Sequence, residues 1–127
     1  ASCLSCFEAR EEEFIEAFKA RTKKLAVEII KFYGKLKKTD ATYIVGKQLV
    51  RSVTSTAANY RAACIARSQA EFFAKMSIVN EEADETLFWL EVMEEADLAQ
   101  PEKIAPFKSE ALEILKVVSK ARKNTNR

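Results

Sequence analysis

The chain has 127 residues, 48% of them hydrophobic and 31% charged, which is the make-up of one core-forming domain. Two Gly and two Pro are too few for the turns of a sandwich or barrel, so an all-α fold is expected. Without His, the chain excludes Ser-His-Asp, Cys-His and H-E-x-x-H chemistry, and its formal net charge of +2 conceals local sorting.

Four helices are predicted. The first runs from about Glu8 to Leu36, with Phe14, Phe18, Leu25, Ile29, Phe32 and Leu36 on one stripe and Thr22 filling the gap. Lys37, Lys38, Thr39 and Asp40 make a polar break, and Thr39 or Asp40 is suited to cap the next helix.

The second helix, about Ala41 to Ala66, contains KQLVRSVTSTAANYRAACIAR, a run of small residues carrying Arg and almost no acid. Gly46, Val50, Val53, Ala57, Tyr60 and Cys64 read as its bundle seam. Ser52, Ser55, Asn59 and Ala62 form another low-bulk stripe, rotated from the seam and suited to close helix or subunit packing.

Ser68 and Glu71 make a capping box that starts the third helix, which extends to about Leu98. Its core seam is Phe72, Met76, Val79, Ala83, Thr86, Leu90 and Met93. Ile78, Trp89, Val92 and Ala96, with Phe88 nearby, project from a different side and predict a subunit interface.

Pro101 and Pro106 place the start of the last helix beyond the second proline, from Phe107 to Lys123. Short connections between long helices favour an antiparallel up-down-up-down four-helix bundle in one domain over residues 1–127, with flexible ends at 1–7 and 124–127.

Charge is segregated along this frame. From Ala17 to Arg67, twelve Lys or Arg stand against Glu28 and Asp40; from Ser68 to Asp97, nine acids stand against Lys75. One explanation is that oppositely charged helices lie side by side. The other is a phosphate-binding surface built from Lys47, Arg51 and Arg61 on one edge of the second helix, with Lys23, Lys24, Lys35, Lys37, Lys38 and Arg67.

Cys3 and Cys6 form a C-x-x-C, but zinc needs two further ligands and only Cys64 remains, so terminal unpaired thiols are expected. Without Glu-x-x-His pairs, Glu81, Glu82, Asp84 and Glu85 are poor di-iron ligands. No catalytic residue, metal or cofactor is expected. No stretch reaches the ~20 apolar residues of a membrane span, and no signal peptide is recognisable, so a cytoplasmic protein is expected.

RTKKLAVEIIKFYGKL, followed by GKQLVRSVTSTAANYRAACIARSQAEFFAKMSIVNEEADETLFWLEVMEEADL, resembles the bacterial 23S rRNA intervening-sequence proteins. These are named for reading frames found in insertions within the large-subunit ribosomal RNA gene. The most specific parts are Arg51 through Asn59, then Arg67, Ser68 and Glu71-Phe72, and Glu82 through Leu90; Ala63-Cys64 replace the family's usual Gly.

The resemblance implies a homopentameric ring of four-helix bundles. It also implies kinship with the accessory proteins of diversity-generating retroelements, which associate with nucleic acid and a reverse transcriptase. The expected function is therefore a non-enzymatic oligomer that engages RNA or DNA backbones through its first two helices. The alternative is a protein-interaction scaffold that binds a protein partner and no nucleic acid.

Overall fold

The computed structural model describes residues 3–125, with side chains described from Ala9 to Lys123. The expected flexible ends therefore lie partly outside the described residues, and the side chains of Cys3 and Cys6 lie wholly outside them. The fold is an all-α four-helix bundle of α1 (Cys3–Lys35), α2 (Asp40–Ala63), α3 (Gln69–Glu95) and α4 (Pro101–Thr125). Among the described residues, no helix is long and apolar enough to cross a membrane.

The first helix begins earlier than its apolar stripe predicts. The Glu-rich segment before Phe14 contains neither Gly nor Pro, so nothing in it stops a helix. Phe18 meets Tyr60 edge-on at 4.8 Å, in the last turns of α2. Phe14, one turn earlier, is 56% exposed, a correction to its expected core position: the stripe runs past the end of the helix it packs against.

The break after α1 is closed by local bonds. Lys38 Nζ donates to the carbonyls of Tyr33 and Leu36, the latter at 2.7 Å, and so neutralises acceptors left open at the helix end. Thr39, rather than Asp40, caps α2 by accepting from the Thr42 N–H.

The interior of α2 also differs from the predicted seam. Leu49, Ser52, Thr56 and Ala63 are buried with Gly46, Val53 and Tyr60, while Val50, Ala57 and Cys64 are half-buried at the margin. Ser52, expected on an outer stripe, is fully enclosed within this one chain.

Burying these hydroxyls costs little because each finds a partner. Ser52 Oγ donates to the Leu49 carbonyl, Thr56 Oγ1 to the Ser52 carbonyl, and Thr86 Oγ1 lies 3.0 Å from Ser52 Oγ and 2.8 Å from the Glu82 carbonyl. Among the described residues no buried side-chain nitrogen or oxygen lacks a partner.

The third helix keeps to its expected seam. Met76, Val79, Ala83, Thr86, Leu90 and Met93 are buried and Phe72 is half-buried. Ser68 caps it by accepting from the Glu71 N–H, while the Glu71 carboxylate accepts from the Arg67 N–H. It ends in a left-handed Asp97 (φ 57°), with Leu98 N–H donating to the Met93 carbonyl and Asp97 N–H to that of Glu94.

The fourth helix starts at Pro101 and carries Pro106 inside it, which corrects the expected start at Phe107. Ile104 decides this: it is fully buried, and sealing such a side chain is worth ~1.5–3 kcal/mol. Pro106 removes its own N–H at an exposed position in the second turn, where the lost bond is tolerable.

The α2–α3 contact is the most extensive and α1–α4 the least, and α1 does not approach α3. The narrow α1–α4 seam is held by Arg21 on Glu110 (Nη2–Oε1 2.8 Å) and by Phe32 against Phe107 at 5.2 Å. Along α3–α4, Ser77 meets Arg122, Asn80 meets Ser119, and Glu94 meets Lys108.

Gly46 fixes how α1 lies on α2, since a Cβ there would stand 2.0 Å from the Tyr33 ring. Ala gains ~1 kcal/mol of helix propensity over Gly, whereas overpacking costs ~1–3 kcal/mol. Gly46→Ala is therefore expected to lower stability in the wild-type background and to raise it when Tyr33 is also replaced by Ala. Urea midpoints of the four variants in this cycle provide the check; additive effects would remove the Tyr33 clash as the cause.

Candidate nucleic-acid interface

The basic residues singled out in the sequence occupy three places, with Lys24 and Arg67 apart from all of them. Arg51 is one, and it is committed inside the chain: its Nη1 lies 3.1 Å from Glu82 Oε2 and its Nη2 contacts Glu85 Oε2, both across the α2–α3 seam. Gln48 also accepts from its Nε. Arg51 thus reaches across to α3, whereas Arg61 lines a furrow beside α1.

This pairing perturbs all three charges. Contact with Glu85 raises the Arg51 pKa, and the same guanidinium holds the Glu85 carboxyl below its ordinary range. Glu82 goes the other way, because burial pushes its pKa up more than Arg51 draws it down.

The second place is the end of the bundle where α1 turns into α2. Lys35 and Lys37 are exposed and meet no carboxylate among the described residues. Lys38, already bonded to α1 carbonyls, sits 4.4 Å from the Tyr33 ring centre. Lys47 lies over Tyr43, 4.7 Å from its ring centre and 3.1 Å from its hydroxyl. Tyr33 in turn rests on Gly46 of α2, one residue before Lys47.

The third place is a furrow of about 710 Å³ between α1 and α2, with Lys23 on one wall and Arg61 on the other. Neither of these two meets a carboxylate among the described residues. Lys24 lies outside the furrow and pairs loosely with Glu28 at 3.8 Å. Arg67 is exposed at the α2–α3 connection, at the far end of the bundle from Lys37.

The expected interface residues also divide. Ser52 belongs to the core. Asn59 donates to the Ser55 carbonyl and hydroxyl, and both residues are half-buried, as is Ala62. Ile78, Phe88 and Ala96 are exposed, and Val92 is half-buried. Trp89 is half-buried, with its indole N–H on Glu85 and its ring edge-on to Phe88 at 5.0 Å.

The furrow walls were missed in the sequence, although Ala20, Lys23, Val27 and Ile30 recur at three- and four-residue steps. A second period lay beneath the core stripe of the same helix. Burial raises the Cys64 thiol pKa, against a lowering contact from Tyr60, and it raises the Tyr60 phenol strongly.

The family model described as 23S rRNA-intervening sequence protein matches residues 17–120. The chain belongs to the 23S rRNA-intervening sequence protein family. The start of α1 lies outside the match, while the furrow apart from Glu16, the lysine-bearing end and all of α3 lie within it. A crystal structure of a protein of unknown function from the S23 ribosomal protein family of Bacteroides thetaiotaomicron is 31% identical, with a TM-score of 0.79. That likeness covers 86% of this chain and 97% of the other. No curated protein matches.

The geometry separates Arg51 from the rest of this family member's cations. Arg51→Ala is expected to cost about 1 kcal/mol, since the pair is partly exposed and screened. The carboxylates set the sign of the pH dependence. The depressed Glu85 pKa gives stability that is present above its unfolded pKa and lost as pH falls through the folded one. The raised Glu82 pKa acts in the opposite sense, giving stability that is lost as pH rises. The gap between wild type and variant should therefore be widest near neutral pH and should narrow below about pH 4. Urea midpoints across that range test it, with a pH-independent gap as the contrary result.

Proposed function

We propose that this chain is a non-enzymatic, cytoplasmic, oligomeric bundle that holds nucleic-acid backbones on the end where α1 passes into α2. The observation carrying this reading is the cluster of Lys35, Lys37, Lys38 and Lys47, which has two tyrosines and no carboxylate partner among the described residues. Lysines without carboxylate partners are free to displace counterions from phosphates, and the exposed Tyr43 ring offers a stacking surface for an unpaired base. The absence of a base-reading module in the sequence makes backbone charge and shape the recognised features.

The finer architecture belongs to the same proposal. An up-down-up-down course is supported by the order of the pairings: Phe18 with Tyr60 and Tyr33 with Gly46 on α1–α2, Ser77 with Arg122 and Glu94 with Lys108 on α3–α4. Family membership and the exposed face of α3 support an oligomer, for which a pentameric ring is the arrangement we favour. Repeating the lysine cluster on each copy turns a weak single contact into a strong multiple one.

A protein scaffold is the second reading, and the unpaired acids of α3 favour it. Binding of a labelled RNA oligomer across a salt series separates the two. With about four lysines engaged on single-stranded RNA, log affinity should fall against log salt with a slope of about −3. Removing Lys35 and Lys37 together should flatten that slope by about 1.4, while Arg51→Ala should leave it unchanged. Absence of binding at low salt, or binding indifferent to salt, would return the protein to the scaffold reading.

A further inference from the structure

The charge carried by α3 exceeds what the chain itself uses. Glu82 and Glu85 pair with Arg51, Glu94 pairs with Lys108, and Glu71 serves the cap. Glu81, Asp84, Glu91 and Glu95 meet no cation among the described residues. Glu81 stands with Glu85 in an outward stripe that also holds Ile78, Phe88 and Val92, offset by two residues, or roughly 200°, from the core stripe that begins at Met76, and Asp84, Glu91 and Glu95 run along one flank of it. Ile78 is 37% and Phe88 51% exposed. This face mixes apolar with acidic side chains, carries a further row of acids along one flank, and is uncovered.

The furrow between α1 and α2 has the inverse make-up. Its lining includes Ala20, Ala57 and Ala58, and its α1 side exposes Val27 (41%) and Ile30 (44%). Its uncommitted charges, Lys23 and Arg61, are positive. Along α1 the furrow runs from Glu16 to Ile30, about 21 Å at 1.5 Å per residue; the stripe from Ile78 to Val92 has the same length. Alanines leave room for side chains the size of Ile78 and Phe88, and the charges are opposite.

One chain cannot join these two surfaces. α1 approaches α2 and α4 and not α3, so the furrow and the acidic face lie on different sides of the bundle. A second copy supplies what each surface lacks. We propose that the α1–α2 furrow of one copy receives the outward face of α3 from the next, in a head-to-tail contact. This rests on the oligomeric part of the proposed function and gives it a geometry. Because each copy keeps one furrow and one face to offer, the contact repeats and is satisfied when the chain of copies closes.

The test uses two substitutions at exposed helical positions of the full chain. Ala58→Glu blocks the furrow with bulk and negative charge, and Phe88→Glu removes the central apolar side chain of the face. Light scattering after size separation at micromolar concentration reads the mass. Wild type is expected to be larger than a dimer, and each variant to be a monomer with unchanged helix content by circular dichroism. An equimolar mixture is expected to form a 1:1 heterodimer and nothing larger, since the furrow of Phe88→Glu and the face of Ala58→Glu are the only intact pair. That rescue also proves both variants folded.

A variant that keeps the wild-type mass overturns the contact and leaves the oligomer standing. A variant that stops as a homodimer overturns it in favour of a two-fold interface. A monomeric wild type overturns the oligomeric reading itself. Loss of RNA affinity in Ala58→Glu with the wild-type mass retained assigns the furrow to nucleic acid instead.

Discussion

The hydrogen bond between Ser52 and Thr86 marks where α2 and α3 meet through small hydroxyl side chains, and the outer surface is arranged around that approach. α2 must pack against α1 on one flank and α3 on the other. It does so with Gly46 under the Tyr33 ring and with Ser52, Thr56 and Ala63 in the interior. Hydroxyls are tolerable there because the preceding turn of the same helix accepts their protons, so the polar atoms need nothing from across the seam. Larger apolar side chains would hold the helices apart. A close seam is what lets Arg51, on the rim of α2, reach two carboxylates of α3.

How much of this was legible depends on residue size more than on period. On α3 the 4-3 spacing is carried by Met76, Val79, Leu90 and Met93, whose bulk identifies the inner face unambiguously. On α2 the stretch from Ser52 to Ala58 is small at nearly every position, so several stripes satisfy the same spacing and only the neighbouring helices decide between them. That is why Leu49 and Ser52 turned inward while Val50 and Ala57 stopped at the margin. Phe14 shows a different limit: a stripe in a sequence does not say where the partner helix ends. At α4, the local rule against interior proline lost to the burial of Ile104. The family was legible from Arg51–Asn59 and Glu82–Leu90, and the first of these owes its pattern to the close α2–α3 seam.

The candidate site was legible as charge and not as partnership. Sequence presents the cations of α1 and α2 as equals, yet they have distinct fates: Arg51 pairs across a seam, Lys38 closes a helix end, and Lys35, Lys37, Lys23 and Arg61 remain open. Residues 51 and 82 are distant in the chain, so no local pattern foretells their contact. The side-by-side explanation for charge sorting therefore holds in part, through Arg51 and Lys108. Exposed ion pairs contribute ~1 kcal/mol or less, so even these pairs give a modest share of the fold's stability. The surplus on both sides of the bundle has no role within one chain.

Two claims on that surplus compete, and geometry distributes it between them. Lys23 and Arg61 face each other across a furrow with apolar walls, a setting that suits a helix face better than a hydrated phosphate backbone, whose contacts want open, rotatable cations. Lys35 and Lys37 stand in such an open setting, at the end of the bundle and clear of the furrow. Assigning the first pair to a neighbouring copy and the second to phosphate means that assembly does not consume the cations that bind. Assembly then multiplies those cations, because one strand can touch the lysine end of several copies in turn. By linkage, a ligand that spans copies must also favour the assembled state over the free chain.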